Sequence, residues 1–243
     1  MIIVGINGAI ESGKDTLFSF LPEPKVRLAF GDALKEEVAA LLSTESLEEV
    51  LSFLIVKHAS ADFIRNILAE TWGIKLTAKE LPTLDYAIEH LSGAAISTLC
   101  APFKAVRYKW VNLKERMIAA MHDRLLKETF RTLMQWWGTE YRRVQTRDDY
   151  WVNIIREQVN ALQAKGFDGI LCLCDTRFPN EAQFVKHELG GLVGKVIRPG
   201  TGGSKHLSDT ALASWNFDFT IYNDGTLKQF ERKVLSMAAR WQS

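Results

Sequence analysis

The chain begins Met1-Ile2-Ile3-Val4-Gly5-Ile6, an apolar and largely β-branched run, and Gly8-Ala9-Ile10-Glu11-Ser12-Gly13-Lys14-Asp15-Thr16 follows almost at once. A run without polar alternation predicts a strand buried on both faces of a parallel sheet. A helical pattern then starts near Gly13 and carries Leu17, Phe18 and Leu21 to a stop at Pro22 and Pro24. Strand, glycine loop and helix in this order form the context that a phosphate-binding loop requires.

The loop's chemistry follows from its residue types. Glycines let backbone N–H groups converge on an anion, the helix N-terminus adds positive potential, and Lys14 can reach the β and γ phosphates of a nucleoside triphosphate. Gly8, Glu11, Ser12, Gly13, Lys14, Asp15 and Thr16 are therefore the candidate residues for that ligand. Asp15 stands where most such loops place Ser or Thr, and the hydroxyl comes one position later, at Thr16.

The rest of the chain extends the same architecture. Lys25 to Phe30 predicts a further strand, as do Gly169 to Cys174, Gly194 to Ile197 and Phe217 to Tyr222; Asn180 to Leu189 and Thr226 to Trp241 read as helices. Strands alternating with helices predict an α/β fold with a parallel sheet and right-handed crossovers. Between residues 32 and 165 the pattern changes to long helical periods, with a small β-like piece at Phe103 to Val111. The expected organisation is one domain: an α/β core from 1–31 and 166–243, and a mostly helical insertion over 32–165. Arg198-Pro199-Gly200-Thr201-Gly202-Gly203-Ser204-Lys205 is rich in turn residues and makes 198–209 a candidate lid, with His206 and Asp209 as turn and cap residues.

Asp175-Thr176-Arg177 follows the apolar run directly, with Glu181 four residues beyond Arg177. In an open parallel sheet the ligand crevice lies at the carboxyl ends of the strands, so Asp175 is expected on the side of the phosphate loop. There it could hold magnesium through water or position the attacking oxygen, while the forked donor of Arg177 suits a phosphoryl group. The other reading is a strand-end Asp capping the next helix and a surface Arg paired to Glu181. Cys172 and Cys174 share one face of the strand, lack partners at any zinc spacing, and read as small core residues.

In Phe130 to Arg143, taking about 100° per residue, Arg131, Gln135, Gly138 and Arg142 share one stripe, and Leu133, Met134, Trp136 and Trp137 fall opposite. The glycine suggests either a place where a ligand approaches the backbone or a helix cap. On the first reading Arg131 takes a phosphate and Gln135 a base edge. Trp136 and Trp137 read as core.

Bulk properties narrow the partners. At roughly 150 residues per domain, 243 residues suggest one or two domains. Thirty Lys and Arg against 29 Asp and Glu give a net charge of +1, which argues against a sequence-independent polyanion binder, and the basic residues between Lys104 and Arg116 read as a solvated edge rather than a nucleic-acid strip. Three Cys and no apolar leader point to a reducing cytoplasm, and no run has the length of a membrane span.

Taken together, the Gly-x-x-x-Ser-Gly-Lys-Asp-Thr loop, the Arg131 to Glu140 block, Tyr150-Trp151-Val152, Asp175-Thr176-Arg177, Arg198-Pro199-Gly200 and Asn223-Asp224-Gly225 resemble the deoxynucleoside monophosphate kinases of tailed bacteriophages, in family order along almost the whole chain. The resemblance implies a P-loop kinase fold, a three-layer sandwich, that moves the γ-phosphoryl of ATP to a deoxynucleoside monophosphate. It implies Lys14, Asp15, Thr16 and Asn223 for ATP and Mg2+, with Thr16 and Asp175 on the metal side. For the acceptor it implies Lys35, Arg65, Arg131, Gly138, Thr139, Trp151, Asp175, Arg177 and Glu181. A homodimer and the cytoplasm of a bacterial host are in keeping with that family. The double tryptophan departs from the smaller residues expected there. A P-loop kinase for another phosphorylated small molecule, such as phosphomevalonate, shares the loop and the Asp-x-Arg pairing. A nucleotide-binding switch without an acceptor is the alternative outside catalysis.

Overall fold

The computed structural model describes residues 1–44, 47–56, 59–72, 74–102, 134–201 and 207–241. The β-like piece expected at 103–111, the basic residues 104–116, Arg131 and His206 lie outside them. The chain divides into two compact units, Met1–Ala33 with Thr146–Ser243, and Leu34–Gln145.

The first unit is built on five parallel strands: β1 (Ile2–Gly8), β2 (Lys25–Leu28), β3 (Ile170–Leu173), β4 (Leu192–Ile197) and β5 (Phe219–Tyr222). They lie in the order β2-β3-β1-β4-β5, so β1 is central, with β3 paired from Ile2 opposite Ile170 and β4 from Val4 opposite Leu192. This explains the unbroken apolar run of β1: Ile3, Val4 and Ile6 are all buried, because both faces of a central parallel strand are covered. Parallel pairing also brings the carboxyl ends of β1 and β3 to one edge of the sheet, where their loops leave.

One face packs against α1 (Lys14–Phe20) and the C-terminal helix. Val4, Ile6, Cys172, Val196 and Ile221 meet Leu17 and Leu21, together with Phe230, Val234 and Ala238. The last three recur every four residues, which sets them in a single stripe on a helix. That helix is capped at its start by Thr226, whose hydroxyl accepts from the Gln229 amide at 3.3 Å while the Gln229 side chain accepts from the Thr226 amide at 2.7 Å. Burying such a Phe or Val stabilises the fold by roughly 1.5–3 kcal/mol.

The opposite face is covered through Val185. A β-carbon at Gly5 would stand 3.1 Å from a Val185 methyl and 2.8 Å from the Thr176 hydroxyl, so the glycine in β1 is where that layer comes closest. The helix expected over Asn180 to Leu189 divides into a short α-helix, Pro179–Gln183, and a π-helical turn, Phe184–Glu188. The wider turn closes with the Leu189 amide on the Phe184 carbonyl, five residues back, at 3.0 Å. Tyr150–Ala164 is an α-helix whose Arg156 lies over the Phe184 ring and bonds Glu188 at 2.7 Å. The unit is thus an α/β sandwich with helices on both faces of the parallel sheet, and strand β5 is two residues shorter than the run Phe217 to Tyr222.

The second unit is helical. It takes most of α2 (Phe30–Thr44), then α3 (Leu47–Val56), α4 (Ala61–Trp72), α5 (Leu81–His90) and α6 (Gly93–Cys100), and ends in a π-helical segment, Trp136–Thr146. Val38, Val50, Leu51, Leu54, Ile64, Leu84 and Leu99 are buried. No helix among the described residues is long and apolar enough to cross a membrane.

Candidate functional site

The loop leaving β1 turns through two residues of positive φ, Glu11 at 62° and Gly13 at 103°. Gly13 adopts that conformation without penalty and Glu11 does not, so the loop holds strain at a non-glycine position. Tight packing keeps it there. A β-carbon at Gly8 would stand 2.5 Å from Ser12 Oγ and 2.8 Å from the Val196 carbonyl oxygen. The Lys14 ammonium donates to the carbonyl oxygens of Gly8 and Ala9, both at 2.7 Å, folding the side chain back over the loop it follows. From the end of β5, Asn223 Nδ2 donates to the Ser12 carbonyl at 3.0 Å, and Arg198 reaches the Glu11 carbonyl at 3.4 Å.

Ser12 Oγ is buried and has no hydrogen-bond partner among the described residues. A buried hydroxyl left in that condition costs about 1–3 kcal/mol, and an anion seated in the loop would relieve it. Together with Lys14 and the half-buried Thr16 hydroxyl, this donor set fits the phosphates of a nucleotide. Among the described residues no group of three or more His, Cys, Asp or Glu is arranged to hold a metal ion. Magnesium bound mainly by phosphate oxygens and water, with one or two protein oxygens, needs no such cage.

At the end of β3 the loop is stitched to β1: the Thr176 amide donates to the Ile6 carbonyl at 3.1 Å, and Asn7 Nδ2 donates to the Thr176 carbonyl at 2.9 Å. Asp175 therefore sits at the same end of the sheet as the phosphate loop. Its two carboxylate oxygens accept the backbone N–H groups of Phe30 and Gly31, each at 2.7 Å, at the start of α2. Glu181 is buried, and one of its oxygens accepts the amides of Arg177 at 2.6 Å and Phe178 at 3.1 Å. Both carboxylates fasten backbone. Trp151 is buried on its helix, in edge-to-face contact with Tyr150.

Arg27 is a neighbour of this site that sequence reasoning passed over. It extends from β2, donating to Asp32 Oδ2 at 2.6 Å and to Asp15 Oδ1 at 3.3 Å. Burial works against its charge, but the adjacent Asp32 outweighs that effect and holds the guanidinium above its ordinary value, so it stays cationic. Nothing in the local sequence marks Arg27: its partners lie 12 residues before it and five after.

In the second unit, Lys35 lies on α2 and Arg65 on α4, where Arg65 pairs with Asp62. Gln135 is half-buried, and Gly138 and Thr139 are buried in or beside the π-helical segment. A β-carbon at Gly138 would stand 3.0 Å from a Leu34 methyl, so the close approach there is made by a leucine of the same unit. The helix does not end at Gly138 but runs on to Thr146. Trp136 and Trp137 are core residues, packed with Phe53, Phe63 and Tyr141 at ring separations of 5.0 to 5.8 Å and with each other at 6.3 Å. Glu37 Oε2 accepts both Trp137 Nε1 and Arg142 Nε, each at 2.9 Å.

Comparison with known proteins bears on the loop and on the chain around it. A family model described as deoxynucleotide monophosphate kinase matches residues 2–234. A protein of Acanthamoeba polyphaga mimivirus, whose name assigns it provisionally as a deoxynucleotide monophosphate kinase, is 31% identical over 128 residues. That match covers 47% of this chain and 63% of the viral protein, so the chain spans less than two thirds of that relative.

Proposed function

The chain belongs to the deoxynucleotide monophosphate kinase family, and on that premise we infer that it transfers the γ-phosphoryl group of ATP to a deoxynucleoside monophosphate, giving ADP and the deoxynucleoside diphosphate. The observation that carries this reading is the loop Gly8 to Thr16: a strained turn after the central strand, with the Lys14 ammonium folded over it and a buried Ser12 hydroxyl awaiting a partner.

Phosphoryl transfer asks a protein for positioning and charge neutralisation more than for covalent chemistry. An oxygen of the acceptor phosphate forms the new bond to the γ-phosphorus as the bond from that phosphorus to the β–γ bridging oxygen breaks, and ADP carries away the electron pair. That attacking oxygen is already anionic, so no strong base is needed. Lys14 leaves the carbonyls of Gly8 and Ala9 to neutralise the donor phosphates, and the loop backbone with Ser12 orients them. Thr16 would hold magnesium, which would neutralise charge on the donor phosphates. Arg177 and Arg131 clamp the acceptor phosphate, and Lys35, Arg65, Gln135 and Thr139 are further groups for the acceptor nucleotide.

ADP formation measured with a coupled assay over deoxynucleoside monophosphates, ribonucleoside monophosphates and phosphomevalonate separates the readings. Deoxynucleotides are expected to give the highest kcat/KM. Turnover of phosphomevalonate alone, or ATP hydrolysis indifferent to every acceptor, contradicts the proposal.

A further inference from the structure

Helix α2 starts without a local cap. The first four N–H groups of any α-helix lack an intrahelical acceptor, and a preceding Ser, Thr, Asp or Asn commonly supplies one. Here the preceding residue is Ala29, whose side chain offers no acceptor, and the chain leading to it is Lys25-Val26-Arg27-Leu28. The missing cap comes from 144 and 145 residues away: Asp175 Oδ1 takes the Phe30 amide and Oδ2 the Gly31 amide. The approach is close enough that a β-carbon at Gly31 would stand 2.8 Å from Asp175 Oδ2. The third amide of the turn, Asp32, donates to the Ala29 carbonyl at 3.1 Å, and the Asp32 side chain accepts from Arg27, which also holds Asp15 in the first turn of α1.

We propose that Asp175 is a positioning residue: with Arg27 it fastens the first turn of α2 to the end of the sheet that bears the phosphate loop; Lys35 lies on the next turn of the same helix. Both oxygens of the carboxylate are committed to α2 through charge-assisted bonds, which are the strong kind. Their geometry is that of a cap supplied in trans, with the negative charge placed on the positive end of the helix. Asp175 then acts on turnover through α2 rather than through magnesium. That consequence rests on the kinase reading above, whereas the anchor itself does not.

The test compares the full chain with Asp175→Asn, Asp175→Ala and Arg27→Gln by residue-resolved amide hydrogen exchange and by kinetics with ATP, Mg2+ and a deoxynucleoside monophosphate. In Asp175→Ala, exchange at Phe30 and Gly31 is expected to accelerate by about ten- to a hundredfold, with the amides of β1 and β3 still protected. Asp175→Asn keeps one acceptor oxygen and falls between, so the comparison survives if the Ala variant fails to fold. The acceptor KM rises in all three variants, and the Mg2+ concentration for half-maximal rate stays within about twofold of the unsubstituted chain. Unchanged exchange at Phe30 and Gly31 overturns the proposal, as does a rise of about tenfold or more in the Mg2+ requirement of Asp175→Asn. If the unsubstituted chain turns over no deoxynucleotide, the kinase reading falls, and the exchange measurement alone decides whether Asp175 anchors α2.

Discussion

Asn223 Nδ2 donates a hydrogen bond to the Ser12 carbonyl oxygen over 3.0 Å, across 211 residues of sequence. The amide also lies against Gly13, where a β-carbon would stand 2.6 Å from Nδ2. The glycine loop after β1 is thus braced from the end of β5. Removing one neutral hydrogen bond costs about 0.5–1.5 kcal/mol, so Asn223→Ala is expected to raise the KM for ATP by about two- to tenfold. Asn223→Asp is expected to be worse, because a carboxylate would face the carbonyl oxygen and repel the phosphates. Steady-state kinetics with ATP varied at saturating acceptor measure both.

Lys14 folds back on the carbonyls of Gly8 and Ala9. In the proposed reaction its role is electrostatic, and loss of one such group at a transferring phosphoryl costs about a hundred- to a thousandfold in kcat. Lys14→Ala is expected to lose that much with its circular dichroism spectrum unchanged. A variant that keeps full kcat would remove Lys14 from the chemistry.

Glu37 accepts from both Trp137 and Arg142 through one carboxylate oxygen. Glu37→Ala takes that acceptor from both donors, and the expected loss is about 1–3 kcal/mol of stability. Glu37→Gln keeps an acceptor oxygen and recovers part of it. Urea unfolding followed by tryptophan fluorescence reads the difference, since Trp137 is one of the groups affected.

Cys172 lies 3.3 Å from Cys174, sulfur to sulfur, inside the sheet core. The hydrogen bond with Cys174 and burial both push its thiol well above the ordinary value. The thiolate is the reactive form, so a raised value leaves little of it at neutral or mildly alkaline pH. Alkylation with iodoacetamide at pH 8, read by mass spectrometry, is expected to leave Cys172 unmodified in the folded chain and to modify it in urea. Rapid labelling of the folded chain would show that the strand is open to solvent.

What the sequence made legible was local. The strand, loop and helix at the N-terminus could be read because their signals are contiguous: β-branched residues, then glycines, then the Leu17 and Leu21 stripe. The core roles of Trp136 and Trp137 could be read from their side of the helix. The anchor at α2 was legible only in part: Asp175 could be read as a helix cap, but of the helix that follows it, because Ala29 gives no cap signal and Phe30 is 145 residues away. Arg27 was missed for the same reason, its meaning lying in partners on α1 and α2. The stripe of Arg131, Gln135, Gly138 and Arg142 assumed α-helical turns. From Trp136 onward the turn is the wider π type, which advances fewer degrees per residue and changes which side chains share a face.

The central claim is transfer to an acceptor phosphate, and the most direct measurement follows the phosphoryl group itself. ATP labelled at the γ-phosphorus is incubated with the chain, Mg2+ and each deoxynucleoside monophosphate, and the products are separated by thin-layer chromatography. The account predicts label in the deoxynucleoside diphosphate, dependent on the acceptor and lost in Lys14→Ala. Label appearing only as inorganic phosphate, at a rate the acceptor does not change, would contradict it.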